Sequence, residues 1–151
     1  MEDFVIIDGD LVQFLPAFPT ANVIVQMGRM SATRFPPSVP GSFTVNGKAP
    51  CVEGDEQRVM VPGCIYMTPQ FSIPGIGTLK IEMLTPSNLT QAARIGGKRV
   101  IVRGTQFPAR FEVQSPARQP PTGASAPMPD PITMYRGLAM FVTTNTTKKL
   151  S

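Results

Sequence analysis

Histidine and tryptophan are absent from the 151 residues, cysteine occurs twice, and charged residues make up 16%. Without histidine there is no Ser-His-Asp or Cys-His nucleophile system, and the commonest metal ligand is missing, so most hydrolase templates are excluded. Two cysteines are too few for a disulfide framework, which agrees with a reducing compartment. With no Trp, two Tyr and nine scattered Phe, the aromatic platform of single-strand nucleic-acid binders is hard to assemble. No segment approaches the roughly 18 consecutive apolar residues of a spanning helix. The start, Met1-Glu2-Asp3-Phe4, is acidic and lacks the basic and apolar regions of a secretory signal, which predicts synthesis in the cytoplasm without a signal peptide. Charge well under the roughly 25% of an average domain predicts that part of the surface faces another protein.

What is present points to a β protein. An apolar fraction of 42% suffices for a real core. The 17 prolines and 13 glycines break the chain into pieces too short for long helices. The net charge of +4 is scattered. Its densest cluster, Lys98-Arg99 with Arg94 and Arg103, is interrupted by apolar residues, so no nucleic-acid partner is expected.

Along the chain, Val5-Ile6-Ile7 and Leu11-Val12-Gln13-Phe14 flank the turn Asp8-Gly9-Asp10, which predicts a hairpin. A strand over 22–27 and a loop over 29–42 follow. Asn46-Gly47 is the preferred type I′ pair and predicts a hairpin between 43–45 and 49–52. Strands are expected over 58–61 and 64–67 with Pro62-Gly63 turning between them. In 78–84 a period of two sets Leu79, Ile81 and Met83 on one face. A short helix is expected over 88–95, with Ser87 as N-cap and Gly96 as its left-handed stop. Strands over 99–103 and 110–114 precede a Pro/Ser/Ala/Gly-rich stretch that reads as a linker or strap. A last strand from Gly137 looks like an added edge, able to pair with its own sheet or a neighbour's. The expected organisation is a β domain over 1–114, a strap over 115–136, and a strand and tail over 137–151. Gly47-Lys48 with Gly54 echoes Gly97-Lys98 with Gly104.

Candidate chemistry is thin. Glu53, Asp55 and Glu56 share one turn and read as a solvated turn whose aspartate bonds nearby backbone amides, rather than as a catalytic carboxylate pair. Cys51 and Cys64 leave three readings open: buried apolar thiols, a metal site, or a disulfide. Gly75-Ile76-Gly77 precedes a strand, whereas a dinucleotide loop must follow one, so it reads as a tight β connection.

One set of residues carries a resemblance: Asn46-Gly47-Lys48, Pro50-Cys51, Gly54-Asp55-Glu56, Tyr66, Pro69, Phe71, Ile73-Pro74-Gly75-Ile76-Gly77-Thr78-Leu79 and Gly97-Lys98. In this order, over roughly Thr44 to Gly104, the chain resembles the PAAR-like spike-tip proteins of contractile injection systems, the phage-tail-like machines that include type VI secretion and extracellular injection particles. The resemblance implies an all-β cone of short hairpins with at most one short helix. It implies one copy per particle, seated on the blunt end of a trimeric β-helical spike or hub protein. It also implies a structural, membrane-puncturing role with transient contact to the target membrane, a place for toxin cargo, and family-motif residues at Asn46, Gly47, Lys48, Pro50, Cys51, Gly54, Asp55, Pro74, Gly75 and Gly77. The namesake Pro-Ala-Ala-Arg is absent. The histidines that fix a metal at the apex of classical members are absent too, so no cofactor is expected, with a metal on Cys51 and Cys64 as the alternative. One tip on a threefold spike requires three similar surfaces from one chain. The competing readings are a small β-barrel module for carbohydrate or single-stranded nucleic acid, or another minor phage-tail or baseplate component.

Overall fold

The computed structural model describes residues 2–121 and 126–151. Twelve strands follow in order: β1 (Asp3–Phe4), β2 (Leu11–Phe14), β3 (Ala17–Phe18), β4 (Ala21–Val23), β5 (Gly28–Arg29), β6 (Met60–Met67), β7 (Gly75–Ile81), β8 (Leu89–Ile95), β9 (Lys98–Ile101), β10 (Phe107–Ser115), β11 (Met134–Val142) and β12 (Lys149–Leu150). The only helical turns among the described residues are 3-10 turns at Asp55–Arg58 and Pro86–Asn88. The chain is all-β.

Eight strands form one curled antiparallel sheet in the order β3-β4-β6-β7-β10-β11-β2-β5. Its concave face is made by period-two alternation: Leu79 and Ile81 from β7, Phe107, Ala109 and Phe111 from β10, Tyr135, Ala139 and Phe141 from β11, all buried. Tyr66 and Phe111 pack with ring centroids 5.2 Å apart and Phe107 and Phe141 at 4.6 Å. Each such ring contributes on the order of 2 kcal/mol by leaving water. The sheet is open, with β3 and β5 at its edges, and their length of two residues blunts them against further pairing. The remaining strands make two short ladders, β1 with β12 and β8 with β9.

Several expectations need correction. Val5-Ile6-Ile7 and β2 are not a hairpin: the Asp8-Gly9 turn exists, with the Asp10 amide on the Ile7 carbonyl at 3.0 Å, but Val5 and Ile7 bridge to Val102 and Pro50 while β2 pairs with β11 and β5. Residues 88–95 are not a helix but Asn88 followed by β8, because Gly96 (φ 57°) and Gly97 (φ 82°) close a two-residue hairpin to β9. Pro62-Gly63 does not turn the chain back; it is a bulge inside β6, where the register against β7 shifts between Val61 and Cys64. Gly75-Ile76-Gly77 opens β7 instead of connecting strands. A Cβ on Gly75 would lie 2.3 Å from the Ala117 nitrogen, and one on Gly77 2.4 Å from Phe111. Met83 is exposed, beyond the end of β7.

The C-terminal strand is no added edge either. β11 begins at Met134 and lies between β10 and β2. The stretch before it runs across the fold as a strap: Ile73 and Arg118 exchange two 3.0 Å main-chain bonds, and Ala117 is fully buried with its amide 2.9 Å from the Tyr66 hydroxyl. The part of that stretch over 122–125 lies outside the described residues.

Candidate functional site

Beside the sheet, three segments far apart in sequence close into a ring. The Ile6 amide donates to the Ile101 carbonyl (2.9 Å), the Cys51 amide to the Ile6 carbonyl (2.8 Å), and the Ile101 amide to the Cys51 carbonyl (2.9 Å). Two residues further on, a second threefold circuit runs in the opposite sense: the Asp8 amide donates to the Ala49 carbonyl, Glu53 to Arg99 and Arg103 to Phe4, at 2.8, 2.9 and 2.8 Å. The flanking bridges obey the same rotation, Val5 with Val102, Pro50 with Ile7 and Val100 with Val52. Residues 4–10, 49–55 and 99–105 are therefore three equivalent units about one pseudo-threefold axis.

Local chemistry explains each unit. The middle residues Ile6, Cys51 and Ile101 are fully buried and belong to the larger core, while Val5, Ile7, Val52, Val100 and Val102 point the other way into a second, smaller cluster. Strand alternation thus makes the ring a partition between two cores. Each unit then leaves the axis at a glycine with positive φ, Gly9 at 86°, Gly54 at 100° and Gly104 at 54°, a conformation that L side chains rarely adopt. In two units an aspartate locks the exit. Asp10 takes the Ile7 amide and Asp55 the Val52 amide, both on Oδ2 at 2.8 Å. In the third, Thr105 stands in that place, and fully buried Asn88 braces the turn through the Arg103 and Thr105 carbonyls.

The entries to the units match as well. Val45 pairs with Lys48 across Asn46-Gly47, and Ile95 with Lys98 across Gly96-Gly97. The third counterpart is Leu150 with Asp3, between β12 and β1. Val45, Ile95 and Leu150 all pack on the smaller cluster. This end of the axis carries three like strand pairs, whereas the other end abuts the eight-stranded sheet, which has no threefold arrangement.

The family-motif residues divide between two places. Asn46, Gly47, Lys48, Pro50, Cys51, Gly54 and Asp55 all lie in one unit and its entry turn, where Asn46 (φ 51°) and Gly47 (φ 78°) take the expected left-handed turn. Pro74, Gly75 and Gly77 lie at and in β7 of the sheet. Asp55 bonds the nearby Val52 amide as expected but is not solvated: it is 1% exposed, also bonds the Thr33 amide and hydroxyl, and pairs with Arg58 at 3.0 Å. Glu56 is buried too and accepts the Gly54 amide. The first unit, 4–10, was missed as a site; its signal was Ile7-Asp8-Gly9-Asp10 against Val52-Glu53-Gly54-Asp55.

Both thiols are free and buried in the larger core. Burial drives the Cys51 thiol far above its ordinary value, with the Asp55, Asp10 and Asp8 carboxylates adding to it. Burial raises Cys64 as well, against a backbone hydrogen bond from Gln26 that lowers it. A thiol held protonated is a poor metal ligand. Among the described residues no three His, Cys, Asp or Glu side chains converge as a metal site would require.

A family model described as contractile injection system spike tip protein matches residues 1–151. No curated protein sequence matches the chain.

Proposed function

Because the chain belongs to the contractile injection system spike tip protein family, we propose that it caps a trimeric β-helical spike, one copy per trimer, and helps puncture the target envelope. Membership makes it a structural part of an injection particle, associated with that particle's spike. Among the described residues no helix is long and apolar enough to cross a membrane. The observation that supports the finer reading is the ring. A monomer seated on a threefold end meets three identical surfaces, and only a chain that repeats its own contact three times can satisfy them all. The end of the axis bearing the three strand pairs is then the docking end, and the curled sheet lies away from the spike. In this reading the chain catalyses nothing, holds no cofactor and takes its rigidity from packing, including prolines that restrict its turns.

Native mass spectrometry of the chain mixed with the particle's trimeric spike tests this. The expected species holds one chain and three spike subunits. Three chains per trimer, or no complex, would contradict it.

A further inference from the structure

The docking end has a feature that the family assignment does not supply. Of its three pairs, the first is a tight turn closed by the single Val45–Lys48 bridge across Asn46-Gly47, the second is the β8–β9 hairpin with its Gly96-Gly97 turn, and the third is composite, since β1 and β12 come from opposite ends of the sequence. The equivalence is residue by residue. Thr44, Arg94 and Lys149 occupy one position, each exposed and one residue before the position held by the buried Val45 and Ile95 and the half-buried Leu150. Ala49, Arg99 and Phe4 occupy the facing position, all half-buried.

Charge gathers at the same place. Lys48 sits in the first pair, Arg94, Lys98 and Arg99 in the second, Lys148 and Lys149 in the third. None of these six belongs to any ion pair among the described residues, while the acids of the ring exits, Asp8, Asp10 and Asp55, are paired or hydrogen-bonded within the fold. Lys148 and Lys149 lie over the rings of Phe43 and Phe4, which positions them without neutralising them.

We infer that the β1·β12 pair is the third of three equivalent basic contact elements, and that the partner it fits is a threefold protein end with acidic groups on each subunit. This rests on the capping reading above. Opposite charge at a contact rim speeds encounter and fixes register, and its effect is screened by salt.

The full chain carrying benzoylphenylalanine at Thr44, Arg94 or Lys149, all exposed, tests the assignment by photocrosslinking to the trimeric spike. All three should mark the same spike segment, while the probe at exposed Met83 should not. Crosslinks from Thr44 and Arg94 with none from Lys149 would overturn the composite element and leave capping intact. A complex without crosslinks from any of the three overturns the docking end itself, and failure to form a complex overturns capping. Raising salt from roughly 0.05 to 0.5 M should weaken the complex about tenfold or more. Lys149→Glu should weaken it by about the same factor as Arg94→Glu, the cation at the equivalent position of the second pair, and salt-independent affinity would overturn the acidic partner.

Discussion

Asp130 is 4% exposed and belongs to no ion pair among the described residues. Donors satisfy its carboxyl oxygens in the core: the Tyr66 hydroxyl at 3.0 Å and the Tyr135 hydroxyl on Oδ2, the Ile132 amide on Oδ1. The strap is pinned to the core here, since Tyr66 also accepts the Ala117 amide. Both phenols are held neutral by burial, reinforced by Asp130. Tyr66 is pushed up to about 12, and Tyr135 is also raised. In the unfolded chain a tyrosine ionises near pH 10, so above that pH the unfolded state sheds protons that the folded state keeps. Stability should therefore be intact below about pH 10 and fall as pH rises towards about 12. Urea denaturation between pH 9 and 11 should show this decline in the native chain and less of it in the Tyr66→Phe, Tyr135→Phe double variant. Equal slopes would remove the tyrosine pair as its cause.

Among the elements, glycine positions separate a turn from a packing contact. At Gly47 the φ is 78° and an added Cβ would touch nothing within 4 Å, so Gly47→Ala should cost only about 1 kcal/mol of backbone strain. At Gly77 the same methyl would meet the Phe111 ring at 2.4 Å and the Glu112 carbonyl at 2.5 Å, prising β7 from β10. Gly77→Ala should cost about 3 kcal/mol or prevent folding. Equal denaturation midpoints for the two variants would show that the β7–β10 contact yields freely. The same contrast explains what could be read from the sequence. Asn46-Gly47 announced its turn because few residue pairs accept two positive φ values. Leu79 and Ile81 announced their face through strict alternation. Residues 89–95 misled because Thr90 spends its hydroxyl locally, donating to the Ala93 carbonyl and accepting the Val100 amide, and β8 is bulged between Leu89 and Arg94. That irregularity erases the alternation by which a strand is recognised. Pro62-Gly63 read as a turn because the same pair also serves a bulge, and only the tertiary pairing of β6 with β7 decides between them.

On the scale of the whole molecule, the ring joins residues near 6, 51 and 101 into one hydrogen-bonded circuit, while β11 threads between β10 and β2. The Gly-Lys echo showed only two of three units because the turn of the third is opened by the composite β1·β12 pair; a pattern search along the chain cannot see a repeat whose halves lie at opposite ends. This closure has a thermodynamic consequence. No ring amide can lose its acceptor without displacing a neighbouring unit, and each of Ile6, Cys51 and Ile101 is also buried in the larger core beneath the sheet. Ring and sheet should therefore open together, in one cooperative step. Native-state hydrogen exchange measures this directly: the amides of Ile6, Cys51 and Ile101 should exchange as slowly as those of Phe111 in β10, all four governed by global unfolding and all four responding to denaturant with the same slope. If the three ring amides exchanged orders of magnitude faster than Phe111, with a shallow slope, the ring would be an independently opening unit and not one cooperative body with the sheet.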